Sequence, residues 1–313
     1  MINITKSPNN PDLYTNRVQF CSSARVGFRH LLNYIDFHDD EKILLPSYIG
    51  LSINEGSGVF DPIEEIRIGY EFYKINKDFS IDEVDFINKL KYGNIKAALV
   101  VHYFGFLQSN LKRIIQICKE LDILLIEDCA HTLTSKHGNK LLGDFGDFSF
   151  FSIHKILPAS DGGFLKINNN AFDIPAIPIQ DKISQKTLEI YARSKLDTIS
   201  TIRRRNYQLL LKYLSDINCI KLLYPNLSDT IIPMNLPILL KEHNRENFYY
   251  QLIDEGVITI ALYYKLIDQI DESEFPISYQ ISREILNLPI HQDITEQAIR
   301  YIGETIRKLL IND

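Results

Sequence analysis

The chain has 313 residues, a formal charge of −6 and 45% hydrophobic content, an ordinary globular composition with room for one large domain and a smaller one. Its mild acidity speaks against a nucleic-acid binder, and neither a bilayer-spanning apolar run nor a signal-peptide apolar region is seen, which points to a cytoplasmic protein without membrane contact. The four cysteines form no CxxC pair and the eight histidines no HExxH-like spacing, so reduced thiols and no metal are expected.

Residues 1–16, carrying Pro8, Asn9, Asn10 and Pro11, read as an irregular lead-in. Val18 to Cys21 predicts a short strand, and residues 22–27 feed a helical-period segment with Phe28, Leu31, Leu32 and Ile35 on one face. A small-residue turn before a helix is either a plain serine cap or a phosphate-binding turn of free N–H groups at the positive dipole end; local sequence alone favours the cap. Ile43 to Leu45 predicts a buried strand ended by Pro46, a helical piece starts over residues 46–50, and Val59 and residues 66–73 supply strand material. A helix from Ser80 to Leu90 takes Ser80 as its cap, with Asp82 and Glu83 in its first turn. Ala97 to Val101 is continuously apolar, as a strand covered on both faces is. His102 to Phe106 is then a loop at the ligand end of the sheet, Asn110 to Leu121 a helix, and Ile123 to Ile126 a strand stopped by Glu127 and Asp128. The aromatic run Phe148, Phe150, Phe151 and the segment from Gly162 to Ile167 extend the sheet.

After a connector over residues 171–186, the pattern from Thr187 to Leu214 is helical, with Arg203, Arg204 and Arg205 read as a solvated face. Strands are expected over residues 230–232, 235–239, 257–260 and 288–290, and helices over 244–255, 276–286 and 295–310. The expected fold is α/β: a large domain over residues 1–186 with a mostly parallel sheet and helices on both faces, plus a smaller α+β domain over 187–313.

In an open α/β sheet, an acid ending one strand and a lysine just past another can face one ligand. Asp128 and Lys155 are such a pair, and the pattern suits a pyridoxal phosphate ring held between them. That cofactor needs a lysine for its aldehyde, a carboxylate at its pyridine nitrogen and donors for its phosphate. Lys155 lies in S-x-x-K with Ser152, the 22–27 turn offers backbone N–H groups, and His131 sits three residues past Asp128, able to lie over the ring. Taken singly, Lys155 reads as a surface lysine, Asp128 as a strand-end acid and His131 as a turn histidine. His102 and Tyr103 read equally as cavity-mouth or packing residues, and Cys129 as a small buried hydrophobe.

The joint order of motifs resembles the DegT/StrS-like (DegT/DnrJ/EryC/StrS) sugar aminotransferases of pyridoxal phosphate fold type I. The resemblance runs through Ser22-Ser23-Ala24-Arg25, Leu45-Pro46-Ser47-Tyr48, His102-Tyr103-Phe104-Gly105 and Ile126-Glu127-Asp128-Cys129-Ala130-His131. It continues through Gly143-Asp144-Phe145-Gly146-Asp147, Phe150-Phe151-Ser152, Lys155, Asp161-Gly162-Gly163 and Leu288-Pro289-Ile290-His291. It implies Lys155 as the Schiff-base lysine, Asp128 as the pyridine partner and His131 stacked on the ring, with Ser152 and the backbone of Ala24 and Arg25 on the phosphate. It also implies a homodimer that moves an amino group, with glutamate the expected donor, to a nucleotide-linked keto sugar, in nucleotide-sugar and polysaccharide biosynthesis. The serine–lysine loop is a couple of residues shorter than in many members, and residues 171–195 lack the Asn-x-Arg signature. Because His154 adjoins Lys155, a dehydratase or lyase on the same site is the alternative to the favoured amino transfer, and a non-catalytic cofactor-binding member of the fold is a separate one.

Overall fold

The computed structural model describes residues 17–52, 55–241, 243–260 and 262–311; the lead-in expected over 1–16 lies outside them. In the first half, β1 (Val18–Cys21) leads into α1 (Ala24–Ile35), then β2 (Lys42–Pro46), α2 (Phe60–Ile66), β3 (Gly69–Tyr73), α3 (Glu83–Tyr92), β4 (Ile95–Val101) and α4 (Leu111–Glu120). β5 (Leu124–Cys129), the small hairpin β6 (Lys136–His137) and β7 (Lys140–Leu141), β8 (Phe148–Ser152) and β9 (Gly163–Ile167) complete it.

The main sheet has seven strands in the order β1-β9-β8-β5-β4-β2-β3. The pairs from β3 through β8 are parallel, whereas β9 pairs antiparallel with both β8 and β1. Central β4 and β5 are buried along most of their length because helices cover both faces. Parallel register brings Val101 beside Asp128 and Asp128 beside Phe150, so the C-terminal ends of β4, β5 and β8 line up where such sheets bind ligands. α1 is fixed to this edge by Phe28, fully buried and stacked on Phe150 with centroids 4.6 Å apart. Burying that one ring is worth about 1.5–3 kcal/mol.

The second half holds α5 (Gln185–Arg193), α6 (Leu196–Leu214), β10 (Ile220–Leu222), β11 (Leu236–Leu240), α7 (Arg245–Asp254), α8 (Pro276–Glu284), β12 (Ile285–Leu288) and α9 (Glu296–Ile311). Its three strands form a separate antiparallel sheet, β10-β11-β12. No helix among the described residues is long and apolar enough to cross a membrane.

Several sequence expectations shift. Residues 47–49 are irregular, and the first helix after β2 is α2, with Val59 at its N-cap and Ile66 at its end, so the strand material expected at Val59 and over 66–73 reduces to β3 at 69–73. Asp82, not Ser80, caps α3 by accepting the N–H groups of Val84 and Asp85; Ser80 is bonded to Asp78 instead. β5 runs on through Glu127 and Asp128 because β8 pairs with it there. No strand forms over 230–232, which reads as apolar but lacks a partner strand; β10, at 220–222, is the one that pairs with β11. Residues 257–260 contribute only a single bridge from Ile260 to Asn287, and the strand expected at 288–290 is β12, ending at Leu288.

Candidate active site

A cavity of about 600 Å³ opens at the C-terminal ends of β5 and β8. Its lining includes Ala24, Arg25, Asp128, His131, Ser152 and Lys155, so the six residues expected at the cofactor meet in one place.

The turn before α1 supplies the first wall. Ser23 is the helix cap, its Oγ accepting the N–H of Val26 at 3.2 Å. The N–H groups of Ala24 and Arg25, next in line, donate to no protein acceptor among the described residues. The serine cap does not exclude an anion-binding turn: one serine satisfies one orphan donor, and others remain for a ligand. Gly163 makes the approach possible, since a Cβ there would come within 2.4 Å of Ala24 N. Arg25 turns its guanidinium away from this turn, toward the Glu55 carbonyl and Asp61, 3.2 Å distant.

Asp128 is 5% exposed. One carboxylate oxygen accepts the Ala130 N–H at 2.8 Å, and the other has no protein donor among the described residues. Burial raises its pKa, opposed by the Ala130 bond and the charge of Lys155. A buried carboxylate with one free oxygen needs a positively charged or donating partner, which a protonated pyridine nitrogen would provide. His131 Nδ1 accepts the Phe104 N–H at 3.2 Å, which fixes the ring and leaves Nε2 to carry its proton. Burial and then the Lys155 charge hold its pKa well below the usual histidine value, so the imidazole is neutral.

Lys155 lines the cavity and is exposed to solvent through it. Partial desolvation within the cavity lowers its pKa, while Asp128 and Glu55 act to raise it. The short loop carrying it is pinned: Ile153 N–H donates to the Gly162 carbonyl at 2.9 Å, and Leu157 N–H to the Ile153 carbonyl at 2.9 Å. Gly162 takes φ 111°, a conformation that favours glycine, and its N–H donates to the Ser22 carbonyl at 2.6 Å, tying the lysine loop to the turn before α1. His154 also lines the cavity, its Nδ1 3.3 Å from Ser152 Oγ and 3.4 Å from the Gly162 carbonyl. Asp161 is spent on the start of α5, accepting from Ser184 and Thr187.

Of the two readings of His102 and Tyr103, packing holds, and Arg203 alone stands where the sequence did not put it. His102 is fully buried beside Glu127 at 2.8 Å and does not line the cavity. Glu127 also accepts the N–H groups of Gly143, Phe145 and Gly146, which makes the pair a brace under the loop after β7. Atoms of His102, Glu127 and Cys129 lie within 4.8 Å of one another, but these bonds already engage the carboxylate. Tyr103 is buried too, bonded to the Tyr48 carbonyl at 2.7 Å. Arg203, expected on a solvated face, is 2% exposed because α6 packs this face on the lysine loop. Its Nε donates to Gln292 at 3.0 Å and its Nη1 to the Met234 carbonyl at 2.8 Å, and burial pushes its pKa down to about 10.

Sequence reasoning missed Tyr48, Glu55, Ser57 and Tyr263, all of which line the cavity. Tyr48 had a signal, since Leu45-Pro46-Ser47-Tyr48 is a motif beyond a strand end. Tyr263 had none, because a chain segment more than a hundred residues past Lys155 folds back over the site.

A family model, that of the DegT/DnrJ/EryC1/StrS aminotransferase family, matches residues 72–181 and 190–307. The chain is 24% identical over 255 residues to the dTDP-3-amino-3,6-dideoxy-alpha-D-galactopyranose transaminase of Aneurinibacillus thermoaerophilus, covering 74% of this chain and 69% of that protein. It is 22% identical over 238 residues to the GDP-perosamine synthase of Escherichia coli O157:H7, covering 68% and 65%. It thus spans about two thirds of the length of these curated relatives. Among solved structures, the putative sugar aminotransferase Spr1654 of Streptococcus pneumoniae in its PLP form superposes with a TM-score of 0.80 at 16% identity, over 96% of this chain and 89% of that one. The aminotransferase PseC of Helicobacter pylori, involved in the biosynthesis of pseudoaminic acid, gives 0.78 at 19% identity, over 95% and 87%.

Proposed function

From the premise that the chain belongs to the DegT/DnrJ/EryC1/StrS aminotransferase family, we propose that it is a pyridoxal-phosphate-dependent aminotransferase acting on a nucleotide-linked keto sugar. The observation that carries this reading is the single cavity shared by Lys155, Asp128, His131 and the free N–H groups at the start of α1. The names of the two curated relatives, a transaminase of a dTDP-linked amino sugar and a GDP-perosamine synthase, support the substrate class.

When bound, pyridoxal phosphate supplies an aldehyde that condenses with amines and a ring that draws electrons from the neighbouring carbon. Ser152 Oγ and the N–H groups of Ala24 and Arg25 would hold the phosphate, and Asp128 would face the ring nitrogen. His131, neutral and locked by Phe104, would cover the ring without adding charge. Lys155, with its lowered pKa, keeps a larger unprotonated share near neutrality than a solvated lysine does. That share lets its amine act as a nucleophile and afterwards as the base and acid that carries a proton. Glutamate as donor, a homodimer as the working form, and a division into a cofactor-binding unit over 1–186 and a smaller unit over 187–313 belong to the same reading.

Incubation of the cofactor-loaded protein with glutamate tests it by release of 2-oxoglutarate. Release supports amino transfer. Cofactor binding without release, from glutamate or other amino acids, favours the lyase reading, for which His154 on the cavity wall is the pertinent residue. A thermal-shift screen of nucleotide sugars then identifies the acceptor, since a ligand specific for the folded state raises its unfolding temperature.

A further inference from the structure

Tyr263 holds a left-handed backbone conformation, φ 62°. An aromatic residue keeps such a conformation only where its surroundings over-determine it, and residues of this kind cluster at functional sites. Here the surroundings do so. Leu51 N–H donates to the Lys265 carbonyl at 2.9 Å and Ile267 N–H to the Ile49 carbonyl at 3.1 Å, so the segment is tied to residues 49–51. Asn287 donates to the Leu262 carbonyl at 3.1 Å, and the Tyr48 hydroxyl to the Tyr263 carbonyl at 3.3 Å. Gly50 leaves room for the ring: a Cβ there would lie 2.8 Å from Tyr263 Cδ1. The ring stacks on Tyr48 with centroids 5.1 Å apart and meets His131 edge-on at 5.7 Å.

With its backbone and ring so fully engaged, the Tyr263 hydroxyl still has no protein partner among the described residues, although the residue lines the cavity together with Asp128 and His131. Burial, and then the charge of Asp128, raises the phenol's pKa well above the usual tyrosine value, so the hydroxyl keeps its proton at any physiological pH. A proton-bearing group with no acceptor among the described residues, held by a strained backbone at the cavity wall, is placed to donate to a ligand bound there.

We infer that Tyr263 is a further cofactor-contacting residue, its hydroxyl donating a hydrogen bond to bound pyridoxal phosphate while its ring edge holds His131 in place. The inference rests on the proposed cofactor. Its test is a titration of cofactor-free wild type and Tyr263→Phe with pyridoxal phosphate, followed by absorbance, with thermal unfolding of each cofactor-free protein alongside. Phenylalanine keeps the ring packing, so the unfolding temperature should stay at the wild-type value while the dissociation constant rises about 5-fold or more, the share of one lost hydrogen bond. The pH at which the bound cofactor's absorbance changes should move as well, which a purely structural role would not cause. Equal affinity and an unmoved pH transition in Tyr263→Phe would overturn the assignment of this residue alone. Failure of the wild type to bind pyridoxal phosphate would overturn the proposed function and this inference with it.

Discussion

Arg203 Nη2 donates to the carbonyl of Ile156 at 3.4 Å, one residue past Lys155, and Gln292 Nε2 donates to the same carbonyl at 2.9 Å. The second half of the chain thereby holds the lysine loop by its backbone. Replacing the guanidinium removes the donor to the buried Met234 carbonyl and one of the two donors to that of Ile156. Arg203→Met is expected to cost about 2–3 kcal/mol in urea unfolding and to lower turnover beyond what the stability loss explains. Arg203→Lys, which keeps a charge and a single donor nitrogen, should recover part of both; unchanged unfolding in Arg203→Met would show that the clamp carries no load.

Lys155 offers a cleaner electrostatic test. The folded chain binds its proton less tightly than the unfolded chain does, with burial the main cause. Its charged form therefore costs stability at neutral pH, and the cost fades as pH rises past the folded-state pKa toward the unfolded one. Because Lys155 is exposed to solvent through the cavity, screening keeps this cost small, and cofactor-free Lys155→Met should melt at or slightly above the wild-type temperature at pH 7, with any difference shrinking in alkaline buffer. The same substitution should abolish borohydride-fixed attachment of pyridoxal phosphate, and an adduct that survives at the same peptide would remove Lys155 from its role.

Asp128→Asn retains the shape of the site but not its charge. Cofactor should still bind, while turnover falls about 10²–10³-fold, the usual loss when one preorganised electrostatic partner is removed. Steady-state kinetics with saturating cofactor separates this from weaker binding. Wild-type turnover in Asp128→Asn would contradict a partnership with the ring.

Glu127 governs acid stability. Burial alone would raise its pKa, but the bond from His102 and the backbone N–H groups of Gly146 and Gly143 more than offset this, so its pKa is lowered. Its folded state releases the proton more readily than the unfolded state, so the stabilisation is complete above the unfolded value of about 4.3. It is then lost as pH falls through the folded value. Glu127→Gln should lower stability at pH 7 by about 3 kcal/mol or more and flatten the acid limb of the stability–pH curve, as measured by urea unfolding at a series of pH values.

Much of the site was legible because its parts sit on strong local signals. Asp128 is in an apolar strand, Ser152 ends an aromatic one, Lys155 precedes Asp161-Gly162-Gly163, and Ala24 opens an amphipathic helix. The segments misread were those without a clear period. Residues 230–232 and 257–260 are apolar enough for strands, but a strand forms only where a partner lies in register, and single-chain propensity does not report that. The three arginines of α6 look alike in sequence, and only the packing of α6 shows that Arg203 turns inward while Arg204 reaches Asp229 at the surface.

The sequence by itself determined the alternating α/β order, the strand ends that carry the acid and the lysine, and the family they resemble, because periodicity and short motifs are written within a few residues of each other. Tertiary structure alone decided what faces the cavity and what braces it. Glu127 and Asp128 are adjacent in one strand, yet the alternation of side chains across the sheet sends one into a buried knot with His102 and the other to the ligand face. Tyr263 and Arg203 reach the site from the far half of the chain, through contacts that exist only once the two halves pack.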